Sequence, residues 1–145
     1  ARNVIGYTDA HSREMNTDTK HPVIDIMAEQ KNIVNMGGTM RLGAYPCKVS
    51  KDSNLYKAYG ETMISERHRH RYEFNNEYLE EFKKHGMKVT GINPDTNLVE
   101  VVEVEDHPWY VASQYHPEYK STVAKPHPMF VGFVKAMLEY NKINN

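Results

Sequence analysis

A mixed α/β domain, a sheet flanked by helices, is what the sequence predicts, and three features carry that expectation. Residues 87–92, 98–104 and 109–115 are rich in β-branched and aromatic side chains and are separated by Asn93-Pro94-Asp95 and His107-Pro108 turns. That is the pattern of short strands joined as hairpins. Residues 76–85 set Tyr78, Leu79 and Phe82 on one helical face and stop at Gly86, as an amphipathic helix with a glycine terminator does. Phe130, Phe133, Val134, Met137 and Leu138 form an apolar stripe near the end of the chain, so a last helix packed on the sheet is expected.

The remaining elements follow in order. Residues 1–5 read as a helix end closed by Gly6, and residues 8–14 as a polar loop. The β-branched run of residues 21–27 suits a strand, residues 29–35 are polar enough to be exposed, and Gly37-Gly38 resets the backbone before a second strand over residues 39–49. Ser53 caps a short helix that ends at Gly60, and residues 66–74 alternate as a further strand. No internal repeat interrupts this order, so one domain is expected.

Composition excludes several classes of function. Eighteen basic and nineteen acidic residues give a net charge of -1, too small a field to gather nucleic acid or an anionic membrane. No apolar run approaches the roughly eighteen residues that cross a bilayer. A single cysteine, Cys47, cannot close an internal disulfide, which fits a reducing, cytoplasmic setting. The chain begins without methionine, in what reads as mid-helix, so a piece of a longer polypeptide is expected.

Three segments could carry chemistry. His116-Pro117-Glu118 follows a predicted strand, where open α/β sheets place their sites. Pro117 fixes its own φ and biases His116 to extended backbone, so imidazole and carboxylate can face each other. A carboxylate on Nδ1–H leaves Nε2 free to accept a proton and return it. By spacing alone the pair also reads as an ordinary loop histidine, because His-Pro recurs at 21, 107 and 127. Residues 67–71, Arg-His-Arg-His-Arg, put three guanidiniums on one face and two imidazoles on the other. The adjacent positive charge disfavours a metal at His68 and His70, leaving a carboxylate- or phosphate-reading arginine or a solvated basic strand. Cys47, in a strand after Pro46, reads as a buried structural thiol and the ten tyrosines as packing residues.

Taken together, residues 1–4, Asp9-Ala10-His11-Ser12, Gly37-Gly38-Thr39-Met40-Arg41-Leu42-Gly43, residues 66–75 and Gln114-Tyr115-His116-Pro117-Glu118 resemble the CTP synthase family along the whole chain. The resemblance implies the C-terminal portion of a class I glutamine amidotransferase domain, flavodoxin-like, over residues 1–145. It implies a Cys-His-Glu triad whose histidine and glutamate fall on His116 and Glu118. It further implies that Glu14 and Arg71 hold the ammonium and carboxylate of glutamine. The family's Gly-x-Cys-x-Gly elbow does not occur in the 145 residues, so this chain alone is expected to be inactive. The resemblance assigns no cofactor or metal to these residues. It places ATP and magnesium in an N-terminal synthetase domain of the same polypeptide, within a homotetramer, with no nucleic acid or membrane as partner. Another class I amidotransferase, or a regulatory module of this fold without its cysteine, are the alternatives.

Overall fold

The computed structural model describes residues 1–26 and 40–144. The predicted exposed stretch over residues 29–35, Gly37-Gly38 and the ends of the two neighbouring strands at Met27 and Thr39 lie outside the described residues. Within them, β1 (His11–Ser12), β2 (Pro22–Asp25) and β5 (Glu73–Phe74) form a three-stranded sheet in the order β1-β2-β5. A five-stranded sheet runs β4-β3-β6-β7-β8, from β3 (Arg41–Val49), β4 (Met63–His70), β6 (Met87–Ile92), β7 (Val99–Val104) and β8 (Val111–Ser113). Every pairing in the larger sheet is antiparallel, and the described residues contain one parallel pair, β1 with β2. The consecutive strands β6, β7 and β8 are joined by short turns, which leave no crossover to bring them parallel.

Period-two alternation decides what faces the core. In β4, Ile64, Glu66 and His68 point inward while Met63, Ser65, Arg67 and Arg69 are exposed. The stretch read as one alternating strand is two: the chain leaves β4 after His70 and enters the smaller sheet at Glu73, so Arg71 sits on the passage between sheets. Cys47, Val49, Leu55, Ile64, Val101, Tyr115 and Met129 form the core. At Gly91 a Cβ would stand 2.8 Å from both Cys47 Sγ and Val101 Cγ2, so β6 crosses the core only without a side chain there.

Helix α1 (Asn54–Tyr59) starts at Ser53, whose Oγ accepts from the Tyr56 amide at 2.9 Å. The Glu103 carboxylate of β7 accepts from the amides of Asn54 and Leu55 at 2.9 and 3.0 Å. Four orphan N–H groups open every helix, and here the side chains of Ser53 and Glu103 satisfy three of them, tying α1 to the sheet. A 3-10 turn (Asn76–Tyr78) leads into α2 (Leu79–Lys84), whose Phe82 packs edge-on against Phe74 at 5.3 Å.

Two expectations are corrected. Residues 1–5 form turns, with the Tyr7 amide bonded to the Ala1 carbonyl at 3.1 Å; five residues are too few to propagate a helix without tertiary support. Helix α3 (Pro128–Asn144) exists, but its stripe does not lie on the sheet: Val134 is 51% and Leu138 57% exposed. Met129 alone enters the core, and Gly132 lets the helix graze Trp109, whose ring would lie 2.3 Å from a Cβ there.

Candidate active site

His116 is placed by its backbone. Beyond β8 the chain continues beside its neighbours, with the Gln114 amide donating to the Glu100 carbonyl at 2.7 Å and the His116 amide to the Arg67 carbonyl at 2.9 Å. His116 is extended, at φ -104° and ψ 90°, and Pro117 opens a 3-10 turn (Pro117–Lys120), as suits a residue whose missing N–H needs no partner at a helix start. The turn swings Glu118 back, so that its Oε1 lies 2.7 Å from His116 Nδ1. The Glu118 backbone amide first, and the His116 bond second, hold this carboxyl below its usual range. An ionised carboxylate only accepts, so Nδ1 carries a proton, and the neutral form of such a ring presents its lone pair at Nε2. Both side chains reach solvent, and the imidazole stacks on Tyr119 with centroids 5.0 Å apart.

A buried polar cluster anchors this turn from below. Tyr115, next to His116, bonds through its hydroxyl to the Tyr59 hydroxyl and Met129 Sδ, both at 3.2 Å. Tyr59 donates to Glu66 Oε1 at 3.1 Å, which His127 Nε2 also approaches at 3.3 Å. Lys120 pairs with Glu66 Oε2 at 3.6 Å and donates to the Ser65 carbonyl. Burial alone would raise Glu66, but His127 and Lys120 reverse this and hold it low, while burial keeps Tyr59 and Tyr115 protonated.

Glu14 and Arg71 lie at the same end of the smaller sheet, on either side of β2. β1 runs parallel to β2 and β5 antiparallel, with Ser12 opposite Ile24 and Glu73 opposite Asp25. The chain leaving β1 toward Glu14 and the chain entering β5 from Arg71 therefore both lie at the carboxyl end of β2. Glu14 is exposed, its loop held by the Arg13–Asp25 ion pair at 2.9 Å, and Arg71 is half-buried. Cys47 is fully buried, and burial followed by the charge of Glu100 pushes its thiol up to about 12. A thiol so protonated and enclosed is no nucleophile.

Sequence reasoning missed a ring of buried groups behind His116. Arg41 Nη2 donates to Glu100 Oε1 at 2.6 Å and Nη1 reaches Glu73 Oε2 at 3.3 Å. His68 Nδ1 and His70 Nε2 are 2.7 Å apart. His68 Nε2 lies 3.5 Å from Glu100 Oε2, and His70 Nδ1 lies 3.4 Å from Glu73 Oε1 and 3.2 Å from the Tyr72 carbonyl. Burial pushes His68 down to about 3, His70 to about 4 and Glu73 up to about 7, and also raises Glu100, which Arg41 only partly relieves. Alternation set His68 and His70 on one face of the strand, but nothing local showed that this face is the buried one or pointed to their partners.

Fold and site together define a glutamine amidotransferase: the family described as glutamine amidotransferase class-I matches residues 5–136, and the chain belongs to it. Within that class the chain is similar to CTP synthase. It is 60% identical over 142 residues to the CTP synthase of Clostridium beijerinckii, covering 98% of this chain and 26% of that protein. It is 62% identical over 139 residues to the CTP synthase of Bacteroides fragilis, covering 96% of this chain and 26% of that protein. The chain thus spans about a quarter of the length of these relatives. Among solved structures, the glutaminase domain of Trypanosoma brucei CTPS with bound acivicin matches with a TM-score of 0.87 at 37% identity, over 95% of this chain and 54% of that one. A Thermoplasma acidophilum protein described as a GMP synthase subunit, at 18% identity and a TM-score of 0.54 over 72% of this chain and 48% of that one, shares the fold.

Proposed function

We propose that these residues form the acid–base and substrate-gripping part of the glutaminase site of a CTP synthase, supplying ammonia for ATP-dependent amination of UTP to CTP. The observation that carries this reading is the 2.7 Å His116–Glu118 bond, which occupies Nδ1 and leaves Nε2 to act as the base, in a chain of the class I family. Identity near 60% with CTP synthases, against 18% with the GMP synthase protein, favours CTP synthase over other members of the class.

His116 Nε2 takes the proton of a cysteine thiol, and the thiolate attacks the side-chain carbonyl of glutamine. The imidazolium returns the proton to the departing amide nitrogen, which leaves as ammonia, and a glutamyl thioester forms. His116 then deprotonates water, which cleaves the thioester to glutamate and restores the thiol. Glu118 fixes the tautomer and stabilises the imidazolium. Glu14 meets the substrate ammonium and Arg71 its carboxylate, presenting the side-chain amide to the nucleophile. Because Cys47 is buried and protonated, another segment supplies the thiol, and the 145 residues alone do not hydrolyse glutamine. A synthetase domain of the same polypeptide holds ATP and magnesium, the enzyme is a homotetramer, and it works in the cytoplasm.

The test is His116→Ala in a CTP synthase carrying this chain. Glutamine-driven CTP formation is lost and synthesis from added ammonia is kept; equal loss of both overturns the assignment.

A further inference from the structure

The buried ring behind His116 has a fixed direction of hydrogen bonding. A backbone carbonyl only accepts, so the bond to Tyr72 O places a proton on His70 Nδ1. Neutral His70 then accepts at Nε2, and the 2.7 Å contact takes its proton from His68 Nδ1. His68 Nε2 is left against Glu100 Oε2, and no hydrogen bond of good geometry reaches either buried atom. Two facing lone pairs in the interior are unfavourable, and one added proton on either atom makes the contact complementary. Tyr45 beneath Arg41, Cys47, Tyr115 and His116 are the other titratable groups facing the ring.

The end of this relay touches the site. Tyr72, whose carbonyl accepts the hydrogen bond from His70 Nδ1, directly follows Arg71. The same carbonyl accepts from Gln114 Nε2 at 3.3 Å, and Gln114 lies two residues before His116. One carbonyl oxygen therefore joins the loop of Arg71 to the strand of His116.

We infer that His70, locked in one tautomer by His68, is a positioning residue for glutamine binding: through the Tyr72 carbonyl it sets the Arg71 loop against the strand that carries His116. This rests on the reading of Arg71 as the grip on the substrate carboxylate. It assigns His68 and His70 a task that neither a metal site nor a solvated basic strand would give them.

The experiment measures glutamine hydrolysis and ammonia-driven CTP formation in a CTP synthase carrying this chain, for Arg71→Ala, His70→Ala and His70→Asn. His70→Ala raises KM for glutamine about tenfold, the order of one lost hydrogen bond, and leaves kcat and ammonia-driven synthesis near wild type. His70→Asn, whose amide N–H stands where Nδ1–H stood, recovers most of that KM. A raised KM in Arg71→Ala with none in His70→Ala, or no recovery in His70→Asn, overturns the positioning role and leaves the Arg71 reading intact. An unchanged KM in Arg71→Ala overturns that reading and this inference with it. Imidazole nitrogen NMR shifts of the unmutated protein decide the tautomer even where a variant fails to fold. His70 protonated at Nδ1 and bare at Nε2 supports the relay, and a bare Nδ1 overturns it.

Discussion

Glu118 Oε1 meets His116 Nδ1 at 2.7 Å across a single intervening residue, because Pro117 opens a 3-10 turn that folds the carboxylate back onto the imidazole. The contact between the two side chains is thus set by local backbone geometry, on a turn that long-range bonds to Arg67 and Ser65 hold in place. Replacing the base and replacing its orienter should have unequal effects. His116→Ala in a CTP synthase carrying this chain is expected to lower glutamine turnover by about 10²–10⁴-fold. Glu118→Gln, which accepts the same Nδ1–H without the charge, is expected to lose less. Steady-state glutaminase assays rank the two, and a greater loss in Glu118→Gln would contradict the assigned roles.

Cys47 is expected to be inert. Its thiol has no exposed surface and is raised to about 12 by burial, so Ellman's reagent should label it only after denaturation. Cys47→Ala is expected to cost stability through a small cavity and to leave glutamine turnover intact. Fast labelling of the native protein would contradict this.

Gly91→Ala is expected to destabilise the domain by about 1–3 kcal/mol, the usual penalty of overpacking, because its Cβ would stand 2.8 Å from Cys47 Sγ and Val101 Cγ2. Combining it with Cys47→Ala removes one of the three clashing atoms, the other two belonging to Val101, and is expected to recover part of the loss. Urea unfolding of the three variants measures the coupling, and strict additivity would place the strain elsewhere.

The ring makes stability depend on pH in a direction set by Glu73. Burial raises its folded pKa from 4.5 to about 7, so between those values the folded chain holds a proton that the unfolded chain releases. Stability from this group is present below 4.5 and lost as pH rises through about 7, at up to about 1.4 kcal/mol per pH unit. His68 and His70, lowered to about 3 and about 4, act oppositely and remove stability as pH falls below 6.5. Glu73→Gln isolates the carboxyl: on going from pH 5 to pH 8 the thermal midpoint of the variant is expected to move upward relative to that of wild type, because the loss contributed by Glu73 is removed. A pH-independent difference between the two midpoints would mean that Glu73 is ionised throughout.

The sequence by itself determined what is local. The period-two strands, the Ser53 cap of α1 and the His116–Glu118 pair each depend on residues within a few positions of one another, where backbone sterics and short-range hydrogen bonds leave few choices. The passage of the chain between sheets at Arg71 was not legible, since alternation continues through residues 66–74 and carries no mark of which partner strand each half will find. Nor was the fate of the α3 stripe: periodicity shows that a face is apolar but not what covers it.

Only the tertiary structure decided the ring and the anchor beneath the site. Arg41 finds Glu73 and Glu100 at sequence separations of 32 and 59, and Glu66 finds His127 at 61. In sequence these are charged residues scattered among strands, each most simply read as solvent-facing. They become a network because a charge carried into the interior by strand alternation must meet its complement there or lose its charge, and the register of β3, β4, β5 and β7 chooses which complement it meets.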